Sequence, residues 1–318
     1  MLEVSVILPT YNRLRFLRAA IASVHAQTLA NWELIIADDG SDEETREFLA
    51  SVAGPRVRTL WLSHCGNPAR VRNCAIQEAR GRYLAFLDSD DVWAASKLEK
   101  QIAALRARPQ CRWSYTACGR LDEEGRHLAN ARPQAPMPRE GWILEPLLRL
   151  QVAIAMPTVV AERSLVQEIG GFDEQQYFGE FHDLCLRLAM RSEVVGLAES
   201  LCDVRAHDEH YSSDRTAADA SWMRLYGKMA DTIRTPRLRS FCRRMRAQKA
   251  LQLARRHSDS GRYRESCSTL LRAARFSWRY PGWWYHALAG LARPIVPDVV
   301  AAALRRRRDL LRSSWRRG

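Results

Sequence analysis

Asp88-Ser89-Asp90-Asp91 closes the apolar run Tyr83–Leu87 with three carboxylates in four residues. Like charges this close repel one another unless a cation or several hydrogen-bond donors sit among them. Hard carboxylate oxygens suit Mg²⁺ or Mn²⁺, and ions of this kind are held by one or two carboxylates together with the phosphates of a substrate. A second acidic pair, Asp38-Asp39, ends the run Trp32–Ala37. A carboxylate of this pair can accept hydrogen bonds from the base or ribose of a nucleotide, as an acidic residue does in dinucleotide-binding folds. These residues therefore point to the handling of a nucleoside diphosphate. D-x-D alone is short and arises often on loops, so the case rests on several clusters meeting at one place.

They meet only if alternating strands and helices bring them there. Val4–Leu8 reads as a buried strand ended by Pro9, and Leu14–Gln27 as a helix with apolar residues at Leu14, Leu17, Ile21 and Val24. Trp32–Ala37 is a second strand. Asp42–Val52 is a helix capped by Ser41 or Asp42, with acidic residues in its first turn. Val57–Leu62 is a third strand, and Pro68–Ala79 a helix that Gly81 is expected to end. Tyr83–Leu87 is the fourth strand, Ala94–Ala107 a helix with Asp91 as its expected cap, and Arg112–Ala117 the fifth strand. This alternation predicts an α/β fold with a parallel sheet covered by helices on both faces. Ligands of such sheets bind outside the carboxyl ends of the strands. If strands one, two and four are neighbours, one edge collects up to five aspartates.

The following region is less regular. Residues 119–140 hold three prolines and two glycines and read as a flexible surface segment. A short helix near Trp142–Leu150, a strand near Thr158–Ala161 and a helix over Phe181–Met190 come next. Two apolar stretches, Val194–Leu197 and Leu201–Arg205, complete the region. From Thr216 onward the pattern is helical, and the helices Phe241–Arg256 and Gly261–Phe276 resemble one hairpin of a tetratricopeptide-type array.

Composition bounds the rest. The chain has 318 residues, 47% of them apolar, enough for one large α/β domain with an appendage. No run of 18 apolar residues occurs, so no membrane-spanning helix is expected. MLEVSVILPT has no basic stretch ahead of an apolar core, so no signal peptide is expected and a cytoplasmic location is. The eight cysteines form no C-x-x-C pair and read as buried, reduced thiols. From Arg234 to Gly318 there are 22 Lys and Arg against 4 Asp and Glu, a balance of +18, while residues 1–233 carry −5. This tail, with Trp278, Trp283, Trp284 and Trp315, predicts peripheral association with the anionic inner face of a membrane. No recognised nucleic-acid motif accompanies the charge, so no nucleic-acid partner is expected.

VSVILPTYNR, IIADDGSDE and ARVRNCAIQEARGRYLAFLDSDD, in this order and spacing, resemble the family 2 glycosyltransferases of the GT-A fold. The likeness covers about residues 3–115 strongly and 155–212 more weakly. It implies a catalytic domain over residues 1–215 and inverting transfer of a sugar from a nucleotide-diphosphate donor to an acceptor hydroxyl; residues 216–318 read as a helical, basic region from their own pattern and charge. The acceptor would be a glycan or lipid-linked. Pro9, Tyr11 and Asn12 would contact the nucleotide, with Asp38 or Asp39 holding base or ribose, Asp39 favoured. Arg72 would face the nucleotide. Asp88 would help with ribose or sugar and Asp90 would bind the Mn²⁺ or Mg²⁺ cofactor.

Two later stretches match as well. Gly179-Glu180-Phe181-His182-Asp183 stands where members carry an acidic pair on a helix facing the acceptor. Phe181 replaces the aspartate that many members use as base. Glu180 is the first choice for that role and Asp183 the second, Asp183 being equally readable as an i,i+4 partner of Arg187. His207, two residues after Arg205, fits a position from which members reach the metal. Rival readings are a non-catalytic nucleotide-sugar binder, motivated by Phe181, and a sugar nucleotidyltransferase. The latter typically carries a glycine-rich basic loop after strand one, and PTYNRLRF has no glycine.

Overall fold

The alternation of apolar runs and amphipathic helices builds the first of two units, Met1–Tyr211, seen here in a computed structural model. The structure describes residues 2–128, 138–206, 214–278 and 280–292. Strands and helices follow in the order β1 (Val4–Thr10), α1 (Leu14–His25), β2 (Trp32–Asp38), α2 (Glu43–Ser51), β3 (Val57–Trp61), α3 (Pro68–Glu78) and β4 (Tyr83–Phe86). Then come β5 (Val92–Trp93), α4 (Lys97–Ala107), β6 (Cys111–Leu121), α5 (Leu144–Leu148), a 3₁₀ turn (Met156–Thr158), β7 (Val160–Glu162), α6 (Arg163–Glu168), α7 (Glu180–Ala189) and β8 (Glu193–Arg205).

One eight-stranded sheet runs in the order β3-β2-β1-β4-β7-β6-β8-β5. It is mostly parallel: β1 pairs in parallel with β2 and β4, β2 with β3, and β6 with β8. The exceptions are β7, antiparallel between β4 and β6, and the two-residue β5, antiparallel to β8. In β1, Val4, Val6 and Leu8 are fully buried on one face and Ser5 and Ile7 on the other, so both faces are covered. Leu17, Ala20, Ile21 and Val24 of α1 join Val4, Val6, Leu8, Leu34 and Ile36 in one core. Each of these Val, Leu and Ile side chains stabilises the fold by about 1.5–3 kcal/mol relative to exposure.

Several expectations are corrected. The helix expected from Ala94 begins at Lys97, because Val92 and Trp93 are drawn into pairing with Asp203 and Cys202. Gly81 does not end α3: the helix stops at Glu78 with Ala79 in an extended conformation. Gly81 is required instead by a close approach, since a Cβ there would stand 2.5 Å from the Ser5 nitrogen. The segment expected to be irregular from 119 is strand as far as Leu121, paired with Arg205, and its residues 129–137 lie outside the described residues. The stretches around Val194 and Leu201 are one strand, β8, whose register with β6 shifts at Thr116/Ala117 and again at Ala117/Gly119. The eight thiols are free, but Cys65 and Cys267 are exposed.

The second unit, Ser212–Gly318, contains α8 (Arg215–Thr232), α9 (Pro236–Asp259), α10 (Tyr263–Ser277) and α11 (Pro281–Ala292). α9 and α10 form a hairpin whose turn places Gly261 at φ +73°. Its core holds Ala247, Ala250, Ala254, Leu270, Ala273, Trp283 and Ala287. Buried Asp219 of α8 accepts from Lys249 Nζ at 3.1 Å and also pairs with Arg256, which ties α8 to α9. Among the described residues no helix is long and apolar enough to cross a membrane.

Candidate active site

β2, β1 and β4 are neighbours, so the turns after them share one edge of the sheet. The turn after β1 is shaped by Asn12, a non-glycine residue at φ +50°. Its N–H donates to Ser41 Oγ at 2.9 Å and its Oδ1 accepts from the Asp42 N–H at 2.8 Å. Asn12 thus staples the β1 turn to the β2 turn. Asp42 is the cap of α2, accepting from the Thr45 N–H at 2.9 Å; Ser41 serves Asn12 instead.

Asp38 and Asp39 are both buried. Asp38 accepts from the Ser41 N–H at 3.1 Å. Asp39 accepts from the Cys65 and Gly66 N–H groups, 2.9 Å each, and so fixes the loop after β3. A carboxylate has about four acceptor sites, so these bonds leave lone pairs for further donors. His64 in the same loop puts Nδ1 3.1 Å from Asp39 Oδ2, and its ring stacks on Tyr11 with centroids 4.1 Å apart. Tyr11 is exposed, and Pro9 lies inside β1 opposite Ala37. His64 escaped the sequence reading; its only trace there is its place in the loop after the third strand.

Arg72 supplies the positive charge that the acidic turn after β4 calls for. Pro68 at the first turn and Asn67, whose Oδ1 accepts from the Ala69 N–H at 3.1 Å, start α3 one turn ahead of it. Its buried guanidinium donates to Asp88 Oδ1 at 2.7 Å and to Glu180 Oε1 at 3.4 Å, and lies 5.5 Å from the Phe172 ring centroid. Burial opposes the charge of Arg72, yet the Asp88 and Glu180 carboxylates push its pKa above the ordinary value. The next residue, Asn73, clamps the segment leading to α7. It donates to the Phe172 carbonyl at 2.9 Å and accepts from the Phe172 N–H at 2.8 Å. Arg72 and Asn73 together thus set where Glu180 stands.

Glu180 opens α7 behind Gly179, whose φ of +74° suits glycine. Burial pushes the Glu180 carboxyl up, against the pull of Arg72. Its side chain retains 19% exposure and that of Asp88 29%, so both can meet a ligand. Asp183 has none. It is fully buried, with Oδ2 2.7 Å from Arg187 Nε, and Arg187 also donates to the Ile169 carbonyl at 2.7 Å. This corrects the second choice of base: Asp183 is an internal strut of α7. His182 beside it is half-buried, and burial pushes its imidazole down to about 4.

Burial, the attraction of Arg72 and the charge of Asp90 act in turn on Asp88, with a net upward shift; Asp91 is pushed well up by burial and by its two acidic neighbours. Arg72 therefore does not neutralise the whole edge. The carboxylates of this turn are of the kind a hard divalent ion takes: Asp90 would supply carboxylate oxygen, and phosphates of a donor would supply the rest. Among the described residues no three His, Cys, Asp or Glu side chains converge into a protein-only cage. His207 lies outside the described residues.

Arg205, noted in the sequence only as the residue two before His207, organises this turn. Its Nε donates to the Asp90 carbonyl at 2.9 Å, and its Nη1 to the Asp122 and Glu123 carbonyls at 3.0 and 3.1 Å. Its own N–H donates to Asp91 Oδ1 at 2.9 Å. Asp91 is therefore a buried acceptor for β8 and not the cap of α4, where Ser96 takes the cap position. Asp91→Ala leaves the Arg205 N–H without its acceptor and is expected to cost about 1–3 kcal/mol, read as a lower denaturation midpoint. Asp91→Asn keeps an acceptor oxygen and should retain most of that stability. Equal losses in both variants would rule out the hydrogen bond as the cause.

Residues 5–141 match the model of glycosyl transferase family 2. An uncharacterized glycosyltransferase of Rickettsia bellii (strain RML369-C) is 32% identical over 208 residues, 65% of this chain and 29% of the relative. The UDP-Glc:alpha-D-GlcNAc-diphosphoundecaprenol beta-1,3-glucosyltransferase WfgD of Escherichia coli is 44% identical over 102 residues, 32% of this chain and 40% of that protein. The chain thus spans less than half the length of these relatives. Among solved structures, S. aureus TarS 1-349 in complex with UDP-GlcNAc superposes with a TM-score of 0.66 at 15% identity, over 91% of this chain and 88% of that one. The mannosyltransferase PcManGT from Pyrobaculum calidifontis, in complex with GDP-Man and Mn2+, gives 0.56 at 15% identity, over 93% and 81%. At this identity the superpositions establish the fold, which is of the GT-A type.

Proposed function

We infer that this chain transfers a sugar from a nucleoside-diphosphate donor to an acceptor hydroxyl, with inversion at the anomeric carbon. The observation that carries this reading is Glu180, a partly exposed carboxyl with a raised pKa, held at the acidic edge by the same arginine that holds Asp88. Glu180 takes the proton of the acceptor hydroxyl as its oxygen attacks the anomeric carbon. Arg72 is the fixed cation beside the reacting groups and offers charge stabilisation to the departing diphosphate. Asp88 receives the donor's ribose or sugar, and Pro9, Tyr11, Asn12, Asp38 and Asp39 surround its nucleoside end. A divalent cation held by Asp90, with His207 and the donor diphosphate, would supply Lewis-acid neutralisation of the leaving oxygen. A single base suffices for an inverting displacement, so no nucleophilic serine or cysteine is required.

A glycan or lipid-linked acceptor fits the relatives whose names place them in such synthesis, WfgD and the putative teichuronic acid biosynthesis glycosyltransferase TuaG of Bacillus subtilis (strain 168). With a lipid-linked acceptor, action at the inner face of the membrane follows. Phe181, standing where many members carry the base, favours the second reading of a non-catalytic nucleotide-sugar binder. A thermal-shift screen of UDP- and GDP-sugars, with and without Mn²⁺, tests both readings. A donor at about 100 times its Kd adds about 2.7 kcal/mol, which reads as a rise of several degrees in Tm. A screen in which no nucleotide-sugar moves the Tm would overturn both readings. A shift without turnover of any acceptor would leave the binder.

A further inference from the structure

α10 is built the wrong way round for a helix that only needs to pack. Its inward positions are Ser266, Leu270, Ala273 and Ser277, three of them small. Its outward face carries Tyr263, Cys267, Leu271 and Trp278, four, four and seven residues apart, which is one side of a helix. Leu271 is 72% exposed and Trp278 61%. α11 continues the feature. Trp283 is core, donating from Nε1 to the Ala247 carbonyl at 2.9 Å, which corrects its expected place at a membrane. Trp284, Tyr285 and Leu288 are exposed. Trp284 Nε1 donates to the Trp278 carbonyl at 3.3 Å, so the aromatic residues of the two helices adjoin. Trp315 lies outside the described residues.

The apolar stripe has a basic rim. A shallow groove of about 470 Å³ is lined by Tyr263, Arg264, Cys267, Ser268, Leu271 and Arg272. Arg275 follows one turn on, and Glu265 is the one acidic residue of α10.

We propose that this face of α10 and α11 docks on an anionic lipid bilayer, with Leu271, Trp278, Trp284 and Leu288 entering the headgroup boundary and Arg264, Arg272 and Arg275 meeting lipid phosphates. Amphipathic aromatic rings concentrate at the membrane–water boundary, and basic residues flanking an apolar face are drawn to anionic lipids. A second copy fits this face less well. A symmetric contact would bring the basic rims of two copies, each with Arg264, Arg272 and Arg275, to the same interface. The inference deepens the membrane part of the function proposed above, but its observations lie wholly in the second unit.

Flotation of the full chain with vesicles of about equal parts phosphatidylglycerol and phosphatidylcholine tests it, the anionic share being ample for surface attraction. The chain should float with these vesicles, stay at the bottom with phosphatidylcholine alone, and be released by high salt. Leu271→Gln with Trp278→Gln should abolish flotation, and both side chains are exposed enough for the variant to keep its Tm. Brominated lipid should quench tryptophan fluorescence in the unmodified chain, a reading that needs no variant. Unmodified protein that neither floats nor is quenched overturns the proposal, as does undiminished flotation of the double variant. If gel filtration shows a dimer that Leu271→Gln dissolves, the face is an interface between copies and the proposal is wrong. A nucleotide-sugar thermal shift on the same samples reports the first unit separately, so failure of docking and failure of the transferase reading can be told apart.

Discussion

Glu180→Gln is expected to lower sugar transfer by about 10²–10⁴-fold, the weight of general base catalysis, with donor binding nearly unchanged. The substitution keeps shape and an acceptor oxygen and removes the site that takes the proton. The pH profile adds a second test. A base works deprotonated, so activity falls as pH drops through its pKa. Burial moves the Glu180 pKa up from 4.5, so the acid limb of kcat should lie at higher pH than for an ordinary glutamate. Arg72 pulls that pKa down, so Arg72→Gln should move the limb further up in whatever activity remains. Steady-state assays over pH decide. Near-normal transfer by Glu180→Gln would remove it as base, and Asp183 offers no replacement because it is sealed against Arg187.

Asp90→Asn is expected to cost about 10²–10³-fold in kcat, the usual loss when one stabiliser of a developing negative charge is removed. It should also abolish the dependence of donor binding on Mn²⁺. The substituted amide would retain one oxygen but lose the charge that a hard divalent ion requires. The Asp90 carbonyl is bonded to Arg205 through the backbone, which the substitution leaves intact, so the turn keeps its shape. Calorimetric titration of Mn²⁺ with the nucleotide found by thermal shift separates the carboxylates. Metal-dependent binding that survives in Asp90→Asn and disappears in Asp91→Asn would reverse their roles.

The parallel half of the fold was legible because its signals are local. Val4–Leu8, Trp32–Ala37 and Tyr83–Leu87 are short apolar runs, each followed by polar turns. Leu17, Ile21 and Val24 repeat at helical spacing. The adjacency of β2, β1 and β4, a condition at the level of sequence, is met in the folded sheet, and it places the acidic clusters at one edge. The antiparallel insertion of β7 and the pairing of Val92-Trp93 with β8 had no local signal. Both depend on partners far along the chain.

The same division runs through the site. Residue types and spacing by themselves determined that acidic groups collect at the ends of β2 and β4, and that they need positive charge. Only the tertiary structure decided where that charge sits. Arg72, on a helix 16 residues before Asp88, reaches Glu180 from 108 residues away. It likewise decided that Asp91 serves β8, that Asp39 holds the loop after β3, and that Asp183 faces Arg187. A residue's type sets its side-chain chemistry, and its neighbours set the period along an element. Whether a carboxylate faces solvent, a backbone amide or a guanidinium depends on which distant segment is packed against it, and packing is a property of the folded chain.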